Sequence, residues 1–438
     1  MKEIIAYLIN FLANTDNVDY SNVIGYTDNA TLFANYKLVI IPSSFFDPNQ
    51  YGTKNSIPSL PLQEIEHIPL LFGTPEISHS GQTILIHADI IASTYFMLSR
   101  YEEWITTDAI DQHGRFEGKA AIAYRAGFLH RAIVDEYGKF LRKWMKKCGI
   151  PIEEKPCGFS KIYLTHDIDQ LSKYRSFRGF AGGFFRSLTK KDDTLPEIFH
   201  SFYGQASNDP LYTFPGIYEI NNHFIQTNKT KSVETIFFFK TLKTNLPEDK
   251  PYYNCKGKDA QGLLDFCHKN NIQIGLHTSY YSADNPKNIP LEKIALEAAA
   301  GIPIRYNRYH YLRANSAEAM EMLAQSGLSD DFSLGFASLS GFRLGTSKAV
   351  KYINPKTQQI SVLTIHPLSI MDCTLESQQY MHLSYPEAFN NAKSIIDTVF
   401  EHHGELVLLF HNNGFSVKNK GYTQKLYTEL LAYISNKK

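Results

Sequence analysis

The segment KIYLTHDID, residues 161–169, is the most informative part of this 438-residue chain. It begins with a largely apolar run that predicts a buried strand, and polar residues follow at once. Residues two apart on an extended chain point to the same side, so Asp167 and Asp169 are expected to face one site together. His166 and Ile168 then point away from that site. Of two carboxylates at one strand end, one can bind a metal while the other accepts a proton. The alternative interpretation is a solvated or helix-capping pair.

Strand-like and helix-like segments alternate after this point in the chain. The predicted strands are Lys161–Thr165, Val233–Phe239, Ile272–Leu276, Ser361–Ile365 and Leu406–Phe410. The predicted helices are Phe214–Gln226, Lys258–His268, Leu291–Ala300, Ser316–Gln325 and Glu387–His402. Continuous apolar strands that alternate with helices favour an α/β fold with a parallel sheet, either open or closed into a barrel.

Polar residues that can do chemistry follow three of these strands directly. Asp167 and Asp169 follow the first, His277 follows the third, and His411 follows the last. Parallel α/β folds collect their functional groups at the carboxyl ends of strands, so these side chains are expected to meet. A single histidine after a strand is more often structural than a ligand. Together with two carboxylates, however, it makes a catalytic zinc site with an open position a reasonable expectation.

The first part of the chain has its own pattern and carries no recognisable catalytic motif. Lys37–Ile41 and Thr83–Ile86 resemble buried strands, while Asp89–Trp104 and Arg131–Lys147 have helical spacing, with Asp89 as a cap. The run Gly149–Gly158 contains two prolines and is the best candidate for a linker. We therefore predict a smaller N-terminal α/β domain over residues 1–155 and a second domain over residues 156–438. The first domain is assigned to substrate selection or dimerisation.

Composition limits the possible partners and compartment. Lys+Arg and Asp+Glu both number 44, which argues against a general nucleic-acid binder. The five cysteines are scattered and contain no CxxC pair, so a disulfide framework or a thiolate zinc site is not expected. The N-terminus does not resemble a signal peptide, and no apolar stretch approaches the roughly 20 residues that a membrane span needs. A cytoplasmic protein is therefore expected.

The segment 174–191 mixes five Lys or Arg residues with aromatic residues and glycines. Such a segment could make peripheral contact with the inner face of an anionic membrane, or bind a lipid-linked or phosphorylated glycan. A solvated, mobile loop is the alternative.

Five motifs in order along the chain resemble those of a known family. They are THDID (residues 165–169), HTSYY (277–281), RYHYL (308–312), GFRLGT (341–346) and LLFHN (408–412). This order resembles the polysaccharide deacetylases of carbohydrate esterase family 4, and more closely a bacterial subfamily with an extra N-terminal domain. The resemblance extends from about Lys161 to the last residue. It implies a deacetylase-type (β/α) barrel that is distorted and seven-stranded.

The resemblance also implies roles for individual residues. Asp167 matches the catalytic base, and Asp169 and His277 match ligands of a divalent metal, most commonly Zn²⁺. Arg308 matches the arginine that holds the base, and His411 matches the general acid.

Two positions depart from the family's pattern. Tyr281 stands where the family has its second histidine ligand, and His310 stands where the family has a proline. We hypothesise that His310 supplies the missing nitrogen. The alternatives are that His310 contacts substrate or another ligand, or that the site has only two protein ligands.

Other polar residues near later strand ends are weaker candidates for substrate contacts. They are Tyr281, Asp331, Arg343 and His366, and Asp330 and Asp372 lie in similar positions. Each could equally be a loop cap or turn former.

Two functions follow as expectations. The first is a metal-dependent hydrolase that removes an N-acetyl or O-acetyl group from a glycan or glycan precursor during surface-polysaccharide biosynthesis. The second is a catalytically degenerate member of the fold that serves as a glycan-binding or scaffolding protein. Tyr281 favours the second function, whereas retention of Asp167, Asp169, His277 and His411 favours the first.

Overall fold

The computed structural model describes residues 1–15, 18–189 and 194–437, which build two principal β-sheets with helices packed against them. The strands are β1 (Ile24–Tyr26), β2 (Leu38–Ile40), β3 (Gln63–Ile65), β4 (Ile68–Leu70), β5 (Gly73–Ser80), β6 (Thr83–Ala88), β7 (Lys161–Ile168), β8 (Val233–Phe239), β9 (Gln273–Thr278), β10 (Tyr306–Tyr309), β11 (Asp330–Asp331), β12 (Val350–Asn354), β13 (Gln359–Ile365), β14 (Ile370–Met371) and β15 (Glu405–Leu409). The α-helices are α1 (Lys2–Ala13), α2 (Ile90–Leu98), α3 (Tyr101–Ile105), α4 (Ile122–Arg125), α5 (Ile133–Lys147), α6 (Phe177–Thr189), α7 (Leu195–Tyr203), α8 (Phe214–Thr227), α9 (Lys258–Lys269), α10 (Tyr280–Asp284), α11 (Ile289–Ala300), α12 (Ala317–Gln325), α13 (Asp372–Glu376), α14 (Tyr385–Glu401) and α15 (Thr423–Ser435).

The larger sheet contains nine strands in the order β12-β13-β11-β10-β9-β8-β7-β15-β14. All neighbouring pairs are parallel except β12 with β13. The predicted count of seven strands is therefore not reproduced. The reason is that β11 and β14 have only two residues each, too few for a hydrophobic pattern, and β12 joins as an antiparallel edge.

The sheet is curled into a half-barrel. His366, which follows β13, donates from Nε2 to Oδ1 of Asp330 in β11 at 3.0 Å and from Nδ1 to Oε2 of Glu405 in β15 at 2.6 Å. Four strands separate β11 from β15 in the sheet, so one side chain can bridge them only across the inside of a strongly curled sheet. Tyr163 and Phe332 pack beside this histidine and fill the interior.

The predicted alternation along β7 is confirmed. Ile162, Leu164 and Ile168 belong to the core on the outer side, beneath the helices, whereas Tyr163 belongs to the interior of the half-barrel. His166 also faces outwards, where its Nδ1 donates to the carbonyl of Phe410 at 2.8 Å. Burial lowers the pKa of His166 to about 4, so it is a neutral core residue.

The predicted strands and helices of this part are confirmed with shifts of a few residues at their ends, and β8 has the predicted bounds. In the first part, the helix predicted over Asp89–Trp104 is divided into α2 and α3. Arg100 adopts a left-handed conformation with φ of 57°, which breaks the helix, and its side chain pairs with Glu103. Asp89 caps α2 as predicted, accepting from the backbone N–H of Ala92 at 2.9 Å.

The N-terminal region is built on the second principal sheet, of order β1-β2-β6-β5, and packs directly on the half-barrel. Asp135 at the start of α5 accepts hydrogen bonds from Thr346 and Ser347, and one hydrophobic core cluster includes residues from both regions. The boundary at residues 155 and 156 remains a prediction.

The segment 174–191 is mostly helical, because α6 occupies residues 177–189. The alternative of a mobile loop is therefore wrong for this helix, and Lys190 and Lys191 lie outside the described residues. Within the described part of the chain, no helix has the length and apolar character to cross a membrane. All five cysteines are free thiols.

Candidate metal centre and active site

Three side chains converge at the carboxyl ends of β7, β9 and β10. Nε2 of His277 and Nε2 of His310 each lie 3.3 Å from Oδ1 of Asp169. Their candidate ligand atoms all lie within 4.8 Å of one another, and both histidines are buried. One carboxylate oxygen and two imidazole nitrogens in this arrangement are a common donor set for a divalent transition metal.

The hydrogen bonding of this cluster fits a cation. Nδ1 of His277 donates to the carbonyl oxygen of Arg308 at 2.9 Å, so in the neutral ring Nε2 carries a lone pair. That nitrogen and Oδ1 of Asp169 are buried and have no hydrogen-bond partner among the described residues. Two lone pairs that face each other in a buried site are unfavourable unless a cation lies between them. Burial acts to raise the pKa of Asp169, but the positive charge of His310 outweighs it and holds the pKa well below its ordinary value.

Asp249 orients His310 and was not identified in the sequence. Nδ1 of His310 donates to Oδ1 of Asp249 at 3.4 Å, which leaves Nε2 free to face Asp169. Asp249 also accepts from the backbone N–H of Tyr280 at 2.7 Å and from the hydroxyl of Thr244 at 2.8 Å. A carboxylate behind a metal-binding histidine fixes the ring and raises its basicity. Asp249 lies in a loop after β8, where no hydrophobic pattern points to it.

The backbone directly after His310 is strained. Tyr311 and Leu312 both have positive φ angles, 59° and 57°, in the left-handed region that residues other than glycine seldom adopt. Arg115 from the N-terminal region donates to the carbonyl oxygen of Tyr311 at 2.9 Å and so supports this turn. Strained turns of this kind are typical of functional sites, and here the turn keeps the His310 ring in the site.

Asp167 lies beside the cluster and is held by Arg308. Nη1 of Arg308 donates to Oδ1 of Asp167 at 3.1 Å and to the hydroxyl of Thr165 at 2.7 Å. The guanidinium is completely buried across the inside of the half-barrel, where its Nε donates to the carbonyl of Phe332. Oδ2 of Asp167 lies 3.6 Å from Nε2 of His277, so its second oxygen faces the candidate metal centre.

His411 lies on the other side of the cluster, directly after β15. Its Nδ1 donates to Oδ1 of Asp372 at 2.7 Å, and its Nε2 lies 3.8 Å from Oδ2 of Asp169. Burial acts to lower the pKa of His411, but Cys373 and Asp372 outweigh it and raise the pKa well above its ordinary value. Nε2 of His411 is the ring nitrogen that points towards the cluster. Asp372, noted in the sequence only as a possible substrate contact, fixes the tautomer of His411.

The four weaker candidates for substrate contacts do not enter this site. Tyr281 is 38% exposed and does not line the cavity described below. Asp331 is buried and bonds to Asn307 and Ser333, which makes it part of the packing between strands.

Arg343 and His366 are also placed elsewhere. Arg343 forms two hydrogen bonds with Glu103 of the N-terminal region, both 2.8 Å, and so joins that region to the half-barrel. His366 lies in the interior of the half-barrel between Asp330 and Glu405, away from the cavity. The sequence could not distinguish these ion pairs from substrate contacts, because each pairs with a residue far away in the chain.

A cavity of about 310 Å³ lies over the cluster. Its floor contains Asp167, Asp169, His277, His310 and His411. Its walls include Arg115, Lys240, Glu248, Tyr311, Gln379 and Tyr380, together with the apolar Leu312, Ala337, Met371 and Leu409. A groove of about 360 Å³ adjoins it on the His411 side, and Gln170, Cys373, Ser377 and Asn413 line both. The first part of the chain carries no recognisable catalytic motif, so the contribution of Arg115 to this wall was missed.

Known families and solved structures resemble parts of the chain. Residues 1–149 match a family model described as "Family of unknown function (DUF7033)". No match was found among curated proteins. Among solved structures, the chain is similar to a putative polysaccharide deacetylase from Mycobacterium smegmatis (16% identity, TM-score 0.41, 65% of this chain and 87% of that chain). It is also similar to the Puue allantoinase (10% identity, TM-score 0.34, 64% of this chain and 88% of that chain). The geometry of the site therefore carries the functional argument.

Proposed function

We propose that the protein is a metal-dependent hydrolase that removes an acetyl group from a glycan or glycan precursor. The observation that carries this proposal is that three candidate metal ligands converge beside two groups suited to proton transfer. One is the carboxylate of Asp167, which Arg308 holds, and the other is the imidazole of His411, which Asp372 holds. The ligands are Asp169, His277 and His310. Acyl transfer to water needs a base on one side of the reacting carbon and an acid on the other.

The metal, for which zinc suits two nitrogen ligands and one oxygen ligand, would be held by Asp169, His277 and His310. When bound, it supplies a Lewis acid that polarises an acyl carbonyl and lowers the pKa of water.

The base and the acid are separate residues of the chain. Asp167 accepts a proton from the attacking water through Oδ2, because its Oδ1 is engaged by Arg308. His411 donates a proton from Nε2 to the departing nitrogen or oxygen, since its Nδ1 is fixed by Asp372. Asp167 faces the candidate ligand His277, whereas His411 faces Asp169, so separate groups next to the centre can accept and donate the two protons that amide or ester hydrolysis needs.

The residues that line the cavity and the groove favour an acetylated polar substrate. The apolar patch of Leu312, Ala337, Met371 and Leu409 in the cavity suits an acetyl methyl group. The adjoining groove opens on the side of His411, where the leaving group departs, and it is lined by hydrogen-bonding residues such as Gln170, Asn413 and Ser416. A sugar carrying several hydroxyl groups fits such a groove.

The first test combines metal content with acetate release. Purified full-length protein is analysed by elemental mass spectrometry and then assayed for acetate released from N-acetylglucosamine oligomers and from O-acetylated xylan. We expect about one equivalent of divalent metal and acetate release that Asp167→Asn abolishes while the metal stays bound. Tyr281→Phe serves as a matched control and is expected to leave both quantities unchanged.

The alternative function gives a different result. Bound metal without acetate release from any acetylated sugar, combined with measurable binding of glycans, would favour a glycan-binding or scaffolding protein. Absence of metal after incubation with zinc would overturn the proposed hydrolase.

A further inference from the structure

One face of α6 exposes large apolar side chains to solvent. Phe177, Phe185 and Leu188 are 81%, 68% and 65% exposed, and Phe184 is also exposed. Phe184, Phe185 and Leu188 lie seven, eight and eleven residues after Phe177, a spacing that places all four on one side of a helix. We call these four residues the apolar face. Soluble proteins seldom leave so many large apolar groups together on one surface unless the surface binds something.

The apolar face is not the surface by which α6 packs on its neighbour. The adjoining side of α6 does that, with the ring of Phe180 lying 5.2 Å from that of Phe199 and 4.5 Å from that of Phe202 in α7. A Cβ at Gly183 would come within 2.9 Å of the Tyr174 ring, so this glycine allows close packing. The hairpin of α6 and α7 therefore has its own core and directs the apolar face outwards.

Positive charge accompanies the apolar face. Residues 172–189 contain Lys173, Arg175, Arg178 and Arg186 but no Asp or Glu. Arg175 is occupied by Asp259, which fixes the base of the hairpin, whereas Arg178 is exposed beside Phe177. Helices with an apolar face bordered by cations bind the interface of anionic membranes through both burial and charge.

The hairpin is attached to the rim of the candidate active site. Asp209 accepts from the backbone N–H groups of Lys173 and Tyr174 at 2.8 and 2.9 Å, next to the start of α6. Glu197 of α7 pairs with Lys418, which lines the groove beside His411. The hairpin that carries the apolar face is thus joined to residues that line the groove, Lys173 and Lys418.

We propose that the apolar face of α6 docks the protein on an anionic phospholipid bilayer, with the helix lying in the interface. This inference goes beyond the hydrolase activity and does not depend on it. Burial of the phenyl and isobutyl groups provides most of the binding free energy, and the cations make it sensitive to salt.

The test is co-sedimentation of the full-length protein with vesicles of phosphatidylcholine, with and without phosphatidylglycerol. We expect binding to the anionic vesicles that weakens as salt rises. The double variant F185S/L188S is expected to lose about 100-fold in affinity, because two large apolar side chains are no longer buried in the bilayer. Arg178→Gln is expected to reduce affinity several-fold and to flatten the salt dependence.

The matched control removes two exposed apolar side chains from another helix. Leu291 and Ile294 of α11 are also exposed, and L291S/I294S is expected to bind vesicles like the wild-type protein. Circular dichroism melting curves show whether each variant is folded. The proposal is overturned if the protein does not bind anionic vesicles at low salt, or if both double variants bind equally. It is likewise overturned if F185S/L188S instead dissociates a dimer, since that result would assign the face to a second copy of the chain.

Discussion

Nε2 of His310 lies 3.3 Å from Oδ1 of Asp169, although the two residues are 141 positions apart in the sequence. The ring of His310 also packs edge-on against that of His277, with centroids 4.9 Å apart. Tyr281, four residues after His277, does not line the cavity. Asp169, His277 and His310 thus form a candidate metal site whose two nitrogens come from the ends of neighbouring strands, β9 and β10.

Replacing His310 tests this arrangement directly. We expect His310→Ala to weaken binding of zinc by more than about 100-fold. Removal of a direct ligand costs more affinity than removal of a group that only orients a ligand. Titration calorimetry of metal-stripped protein with zinc measures the affinity. Tyr281→Phe is the matched control, and its affinity is expected to equal that of the wild type. Zinc affinity that survives in His310→Ala would exclude His310 as a ligand.

Asp249 provides a second, subtler prediction. Asp249→Asn is expected to weaken zinc binding by about 10- to 100-fold, because the amide no longer fixes the charge and orientation of the His310 ring. Glu248→Gln removes one charge from the adjacent residue of the same cavity wall and is expected to change the affinity little. Equal losses in the two variants would mean that the charge of the cavity matters and the hydrogen bond to His310 does not.

The pairing of His411 with Asp372 predicts a pH effect on acetate release. His411 acts in its protonated form, so activity is present below its pKa and is lost as the pH rises through that value. Asp372 helps to raise this pKa, and Asp372→Asn is therefore expected to move the alkaline limb of the kcat profile to lower pH. His411→Ala is expected to lower kcat by about 10²- to 10⁴-fold. An unchanged alkaline limb in Asp372→Asn would assign that limb to another group.

His366 predicts a pH dependence of stability that is separate from catalysis. Burial acts to lower its pKa, but hydrogen bonds with Asp330 and Glu405 raise the pKa from 6.5 to about 9. Between these values the folded protein holds a proton that the unfolded chain has released. The stabilisation is therefore complete below pH 6.5 and is lost as the pH rises through about 9, on the order of 3 kcal/mol.

Urea unfolding at a series of pH values measures this effect. His366→Gln is expected to lower the free energy of unfolding at pH 6 and to flatten its decline towards pH 9. His79→Gln, which changes an exposed histidine of β5, is expected to keep the wild-type dependence. A wild-type curve that stays level over this range would show that the ion pairs of His366 add no stability.

The sequence predicted the elements with strong patterns and the site residues that follow them directly. The β7 segment shows why: its alternation is a local property of an extended chain, so the opposite directions of His166 and Asp167 could be predicted without a fold. The strand β8 and the cap at Asp89 were predicted because they too depend only on neighbouring residues. The two-residue strands β11 and β14 have too few residues for a pattern.

By itself, the amino-acid sequence determined the alternation of the strongly patterned strands and helices and placed Asp167, Asp169, His277 and His411 at strand ends. Only the tertiary structure decided which distant groups meet there. It brought Asp249 behind His310, Asp372 behind His411 and Arg115 into the cavity wall, and it directed Arg343 and His366 into ion pairs away from the cavity. The physical reason is that periodicity reports the direction of a side chain relative to its own strand or helix, whereas a contact between remote residues depends on how the half-barrel curls and packs.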